Sequence, residues 1–334
     1  MRILFIGGTG IISSACADLV LARGHELVVL NRGQSHKFEV PPGATALRGD
    51  IRTDADGVAR LLAGQRFDAV VDWVAFTAEH VEQDIRVFGG RTRQFVFISS
   101  ASAYQKPPST WPITEDAPLV NPRWQYSRDK IACEERLLRA FRDEGFPATI
   151  VRPSLTYGPS QIPLVLGSWQ HPWTMIDRMR QGKPVIVPGD GTSLWTVTWN
   201  ADFAVGLVGL LGREQAAGHA FHVTSDEVLT WDAIYREAAH AAGVEPRIVH
   251  IASDWIAATH PPFEGTLLGD KAHSAVFDNA KIKRFVPDFR CTVPWAEGVR
   301  RAIAWFEADA ARRTIDEGHG EILDRIVERY QRSG

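Results

Sequence analysis

Cysteine is scarce: Cys16, Cys133 and Cys291 lie far apart in 334 residues, with no CxxC spacing. That argues against a disulfide framework or a thiolate zinc site, and the thiols read as free groups of a reducing compartment. Long apolar runs are also missing. No window approaches the roughly 18 apolar residues of a membrane span. The first apolar stretch, Ile3 to Ile6, is too short for a secretory signal and runs straight into glycines. A cytoplasmic protein with no membrane partner is expected. Positive charge is not in excess, since the net charge is -3 and the pI about 6.4. No basic field is available to recruit nucleic acid. The nucleophile elbow GxSxG is absent, which argues against a serine hydrolase. Eleven histidines are present, but none has HExxH or similar spacing, so no metal site is expected. His219 and His222 flank a strand-like piece and read as structural. Internal repeats and low-complexity tracts are lacking.

What is present is ordinary globular composition, 45% apolar and 23% charged, in a chain long enough for two lobes. Ile3–Ile6 is a short apolar run of the kind buried on both faces of a parallel sheet. Ile12, Ala15, Cys16, Leu19 and Val20 follow at helical spacing, and Gly24 closes that stripe. Residues 26–30 (ELVVL) complete a βαβ unit. Residues 69–73, 95–98 and 148–151 continue the strand pattern. Residues 131–142 read as a helix with Leu137, Leu138 and Phe141 on its apolar side. Residues 160–190, rich in Pro, Trp and Gly, read as an irregular insertion. The C-terminal stripe of Ile322, Leu323, Ile326, Val327 and Tyr330 predicts an amphipathic helix. The fold class expected is α/β: a doubly wound parallel (Rossmann) sheet with a smaller mixed C-terminal lobe. Residues 1–158 and 190–224 are assigned to the dinucleotide-binding domain, and 159–189 and 225–334 to the substrate lobe.

The loop Gly7-Gly8-Thr9-Gly10-Ile11-Ile12-Ser13 joins the first strand to the first helix. Glycines let the backbone approach a pyrophosphate, and the helix start offers free N–H groups to the anion. The spacing is GxxGxxG with serine in third place. Gly7, Thr9, Gly10, Ile11 and Ile12 are the expected cofactor-binding residues of this loop. The second strand ends in Asn31-Arg32 rather than in an acidic residue. An acid would take a ribose 2′-OH, whereas Arg32 suits a 2′-phosphate, so NADP is favoured over NAD. An arginine stacked on adenine would serve either cofactor. Asp50 and Ile51, after the third strand, are placed to meet the adenine.

Tyr126-Ser127-Arg128-Asp129-Lys130 is a YxxxK pair, whose members share one helix face. A lysine beside a phenol is expected to lower the phenol's pKa. Tyrosine can then exchange a proton with a carbinol oxygen while a hydride moves to or from a nicotinamide. The turn Ser99-Ser100-Ala101-Ser102-Ala103-Tyr104 follows the FVFI strand, at the strand end where open α/β sheets bind ligands. Ser100 is the expected hydroxyl on the reacting oxygen, with Ser102 the runner-up.

Together these residues resemble the extended short-chain dehydrogenase/reductase family, which contains nucleotide-sugar epimerases and dehydratases. The matches are GGTGIIS, FISSASAY, YSRDK and the RPSLTYGP stretch Arg152–Pro159, with Gly189-Asp190-Gly191 and Asp202-Phe203-Ala204 downstream. Asp278–Lys281 and Trp295–Arg300 extend the likeness through the C-terminal lobe. The resemblance implies catalytic roles for Ser100, Tyr126 and Lys130. It implies dinucleotide contacts for Gly7, Gly10, Ile12 and Asp50, and a place beside the nicotinamide for Ala75 and Pro153. Two departures stand out. Ala101 and Ser102 occupy the places of the Asp-Glu pair of the 4,6-dehydratases, which puts water elimination in doubt. No arginine lies between Gly191 and Asp202, where many nucleotide-sugar members grip the diphosphate; Arg178 or Arg180 reaching in from the insertion is the alternative.

The resemblance implies an NAD(P)-dependent epimerase or oxidoreductase acting on a carbinol of a sugar or sugar nucleotide. The alternatives are an NADPH-dependent reductase of another carbonyl and a nonenzymatic NADP-binding regulator. One branch with a similar loop, the chloroplast stem-loop-binding proteins, is associated with RNA, but the acidic pI argues against that partner here. The expected partner is a small, carbohydrate-like molecule, and a homodimer is the expected assembly. The substrate is expected between the sheet edge and the lobe, lined by Ser100, Tyr126, Thr156 and part of the segment Trp169 to Trp199.

Overall fold

A computed structural model describes residues 1–34 and 38–333. Seven strands form one parallel sheet. β1 (Arg2–Ile6), β2 (Glu26–Asn31), β3 (Thr45–Arg48), β4 (Ala69–Asp72), β5 (Phe95–Ile98) and β6 (Ala148–Pro153) lie in the order 3-2-1-4-5-6, and Ala220–Val223 adds the edge beyond β6. The chain reverses direction across the sheet between β1 and β4, and that switch point opens a crevice at the strands' carboxyl ends.

Alternate residues supply the two faces. Leu4, Val28, Val70 and Phe97 pack against α2 (Ala55–Leu61), α3 (Ala78–Phe88) and α4 (Gln125–Glu144). Ile3, Phe5, Val29, Val71 and Val96 pack against α1 (Ile11–Ala22) and the helix Asn200–Leu210. This two-sided burial explains why the strands read as continuous apolar runs.

α4 keeps Leu137 and Leu138 on its apolar side as expected, but not Phe141. Phe141 is exposed, while Lys130, Cys133, Glu134, Leu137 and Ala140 are buried. The helix starts at Gln125 and ends at Gly145, whose φ of 68° is the left-handed conformation that glycine adopts without strain.

The segment expected to be irregular is structured. It holds the helix Trp173–Arg180 and the strand Pro184–Pro188, which pairs in parallel with Arg247–Ile251. These elements, with the helices Trp231–Ala241, Trp295–Glu307 and Glu317–Ser333, enclose a separate core that includes Trp173, Trp195, Trp199, Trp231 and Trp295. No helix among the described residues is long and apolar enough to cross a membrane.

Candidate active site

The crevice between β1 and β4 is a groove of about 520 Å³. Gly7, Gly8, Thr9 and Gly10 form one wall, Asn31, Arg32, Asp50 and Ile51 the far end, and Trp73 and Phe76 the near side. Gly7 and Gly8 have φ of 95° and 103°, and a side-chain carbon on Gly7 would stand 3.1–3.2 Å from Val74 and Trp73. A Cβ on Gly10 would meet only the Ser13 hydroxyl, at 3.3 Å, so the loop is open on that side. The first turn of α1 carries no acidic side chain. The groove therefore has the open backbone and the positive helix end that a dinucleotide pyrophosphate requires. Ile11 and Ile12 contribute backbone here. The Ile11 carbonyl accepts from Asn200 at 2.8 Å, and Ile12 packs into the core.

Arg32 stands 4.0 Å from Asp50 with its side chain largely exposed. The β2–β3 register sets Arg48 opposite Asn31, and its Nε lies 3.6 Å from where a Gly33 Cβ would be. Two guanidinium groups thus stand on either side of Gly33 at the far end of the groove. No local sequence pattern marks Arg48; only the strand pairing brings it beside Asn31.

The loop after β4 is shaped by Asp72, whose Oδ1 accepts the N–H groups of Val74 at 2.6 Å and Ala75 at 2.9 Å. Arg52 bridges Asp72 and the buried Asp84 beneath the groove. Burial and the neighbouring Asp72 push the Asp84 carboxyl well above the usual range. Ala75 is itself buried and does not line the groove. Its carbonyl accepts from Lys130 Nζ at 2.7 Å, and the Ile98 carbonyl does so at 2.8 Å.

Tyr126 and Lys130 sit in the first turns of α4, so both face the sheet edge. Asn121 fixes the helix entry: its Oδ1 accepts from the N–H of Arg123 and Trp124, and its Nδ2 donates to the carbonyls of Ser102 and Gly269. The Ser100 hydroxyl lies beside the Tyr126 phenol and favours its ionised form. Behind it, Ser127 Oγ donates to Ser102 Oγ at 2.9 Å, and Ser102 Oγ lies 2.9 Å from Ser100 Oγ. The Ser102 N–H also donates to Ser100 Oγ at 3.1 Å. With Ser127 donating, the Ser102 proton is directed to Ser100, and the Ser100 proton is left to point at Tyr126 or a bound oxygen. The structure thus puts Ser100 against the phenol and gives Ser102 and Ser127 supporting positions.

The expected lowering of the Tyr126 pKa is corrected. Burial raises it, Ser100 offsets part of that rise, and the charge of Asp270 adds to it. Lys130 Nζ is held by carbonyls 5.8 Å from the centre of the Tyr126 ring. Burial pulls the Lys130 ammonium down to about 8.

A second cleft, of about 270 Å³, adjoins this pair. Ser100, Tyr126, Pro153, Trp169 and Trp195 line it, and so do Lys106, Asp270 and Lys271. Thr156 is buried and outside the lining, its place taken by Ser154 and Leu155. Arg178 and Arg180 do not reach the cleft. Arg178 is engaged by the Pro184 carbonyl and Asp324, and Arg180 by the Ala242 carbonyl and Glu307.

The sequence profile of the NAD dependent epimerase/dehydratase family matches residues 3–88 and 85–224. The chain is 29% identical to the 2'-dehydrokanamycin reductase of Streptomyces kanamyceticus over 87% of its own length and 80% of that protein. It is also 29% identical to the chloroplast stem-loop binding protein of 41 kDa b of Arabidopsis thaliana, over 75% of this chain and 65% of that one. Among solved structures, the epimerase Mth375 of Methanothermobacter thermautotrophicus superposes with a TM-score of 0.76 at 18% identity, covering 93% of each chain. At that identity the likeness speaks for the fold.

Proposed function

This chain belongs to the NAD dependent epimerase/dehydratase family, and we propose that within it the protein reduces a ketone on a carbohydrate-like ring to the alcohol, with Tyr126 as proton donor. One observation carries the reading: the Tyr126 phenol and the Ser100 hydroxyl together open into an aromatic cleft beside the glycine-walled groove. A nicotinamide dinucleotide, when bound, supplies the hydride. Gly7, Thr9 and Gly10 with the α1 start would hold its pyrophosphate, and Asn31, Arg32 and Asp50 its adenosine end. NADPH is the form that the two arginines at that end favour.

The chain's own groups divide the remaining work. The Ser100 hydroxyl donates to the ketone oxygen and stabilises the negative charge that develops there. Burial keeps the phenol protonated at neutral pH, so Tyr126 holds a proton ready for that oxygen. The Lys130 ammonium keeps one face of the site positive, anchored by the Ala75 and Ile98 carbonyls. A held proton and an arginine-flanked ribose site favour net reduction over epimerisation. The extended likeness to a reductase supports the same choice.

The decisive variant is Tyr126→Phe, assayed with NADPH against a panel of keto sugars by the loss of NADPH absorbance. Turnover is expected to fall by roughly 10²–10⁴-fold, the usual weight of a positioned acid, with NADPH affinity nearly unchanged. Wild-type turnover in that variant would remove Tyr126 from the mechanism. Mass spectrometry of the purified protein gives a second check. Tightly retained NAD would turn the reading to epimerisation, because an epimerase returns the hydride to the same substrate.

A further inference from the structure

We propose that Lys106 and Lys271 form a monoanion site in the wall of the substrate cleft, which takes the carboxylate of an acidic sugar or sugar-derived acid. The proposal rests on the reductase reading for its placement beside Tyr126, and it is tested without turnover.

The argument begins with charge. The charged side chains lining the cleft are two lysines and one aspartate. Asp270 is already divided between them, with Oδ1 at 3.2 Å from Lys106 Nζ and Oδ2 at 3.0 Å from Lys271 Nζ. Each carboxylate oxygen is thereby engaged by one ammonium, while each ammonium carries three donors. One positive charge is left over.

The Lys106 ammonium is the clearer case. Its side chain is 2% exposed. Beyond the ion pair, its Nζ lacks a well-directed hydrogen bond, although it lies on the cleft lining. A buried ammonium left in this state is costly unless something accepts its protons. Both lysines lie over the Trp195 ring, at 5.3 and 5.6 Å from its centre, and Trp195 stacks on Trp231. That stack fixes where the cations stand. Asp270 and Lys271 arrive together on a π-helical turn, Leu267–Lys271, closed by the Ala272 N–H on the Leu267 carbonyl at 2.9 Å.

Ligand classes follow from these facts. An ammonium would meet two cations and a carboxylate already shared between them. A neutral sugar would leave the excess charge uncompensated. A carboxylate matches the single excess charge and can accept from both lysines. A phosphate monoester brings nearly two charges and is the poorer match. The tryptophan faces around the site suit the apolar side of a sugar ring.

The test is calorimetric titration of the full chain, with NADP⁺ present, using D-glucuronate, D-glucose, D-glucosamine and D-glucose 6-phosphate. D-Glucuronate is expected to bind at least about tenfold more tightly than D-glucose and to weaken with added salt. D-Glucosamine should be the weakest. Lys106→Met and Lys271→Met should each erase the preference for the acid, and Asp270→Asn should tighten D-glucuronate by removing the competing carboxylate. Tyr126→Phe should keep the preference intact, so loss of turnover and loss of anion binding are separable failures. The salt dependence of the unaltered protein needs no variant to fold. The proposal is overturned if D-glucuronate fails to bind or binds no better than D-glucose. It is equally overturned if D-glucosamine binds best or if the preference survives in both lysine variants. Tighter binding of D-glucose 6-phosphate than of D-glucuronate would overturn the assignment to a carboxylate.

Discussion

Lys130 shows how one side chain can set a working pH range. Its ammonium is buried against two carbonyls, and burial brings it down to about 8. It is therefore charged below that pH and neutral above it, whereas the phenol, raised by burial, keeps its proton throughout. For reduction, kcat/KM is expected to fall as pH rises through about 8, since that ratio reports the free enzyme. A flat profile up to pH 10 would detach the lysine charge from the chemistry. At the other end of the groove, Arg32 and Arg48 flank Gly33. Arg32→Asp should lower the NADPH-to-NADH affinity ratio by at least about tenfold, because a carboxylate repels a 2′-phosphate. Arg48→Ala should lower it by a smaller factor. Titrating both cofactors against both variants decides this, and an unchanged ratio would mean that neither arginine reads the phosphate. Only the first of these residues was legible in the sequence. Arg32 ends a readable strand, while Arg48 becomes relevant through a strand register that no local pattern encodes.

Elements carry the site by being tied together beneath it. Ser99 on the turn after β5 donates to Glu134 of α4 at 2.5 Å, and Glu134 pairs with Arg152 of β6. Arg152 donates to the Tyr104 hydroxyl, and that hydroxyl meets His222 Nδ1 at 3.0 Å. His222 Nε2 donates to the Asp278 carbonyl at 2.6 Å, which fixes the tautomer and leaves Nδ1 to accept. Burial, with Arg152 nearby, brings the His222 pKa down to about 4. The unfolded chain, near 6.5, then binds the proton first. Stability is expected to be lost as pH falls from about 6.5 to about 4 and to level off below. Between pH 7 and pH 5 the loss from this residue is about 2 kcal/mol. His222→Gln should remove that component of the slope, as measured by urea unfolding at the two pH values. An identical slope in the variant would place the acid sensitivity elsewhere, for example on the neighbouring Glu115. The helices explain what pattern reading could reach. The strands ELVVL, FVFI and ATIV were legible because both faces are buried. On α4 the apolar pattern finds Leu137 and Leu138 but misses that the same buried side also carries Lys130 and Glu134, which serve the site and the network rather than the apolar core.

At the scale of the whole molecule, ligand class depends on which long-range neighbours meet at the sheet's carboxyl edge. Pro184–Pro188 pairs with a strand some sixty residues downstream, which turns the supposed irregular insertion into a wall of the second core. That packing occupies the two arginines of this segment, Arg178 and Arg180, and keeps them from a diphosphate. Arg178 is buried against Asp324 of the terminal helix, and Arg180 is paired with Glu307. Extracting Arg178 would leave its Pro184 carbonyl contact unmade and break its ion pair with the half-exposed Asp324. A diphosphate would also have to sit where Asp270 already divides two lysines. UDP- and GDP-sugars are therefore expected to be poor substrates. Assayed with both cofactors, they should show kcat/KM at least about 100-fold below the best free sugar or sugar acid, and free UDP should be a weak competitor. Efficient turnover of a UDP-sugar would require a rearranged lobe. Arg178→Gln and Arg180→Gln then provide the discriminating measurement. A selective rise in KM for the nucleotide sugar would show that one of these arginines leaves its partner to grip the diphosphate, whereas an unchanged KM would leave both in the lobe core.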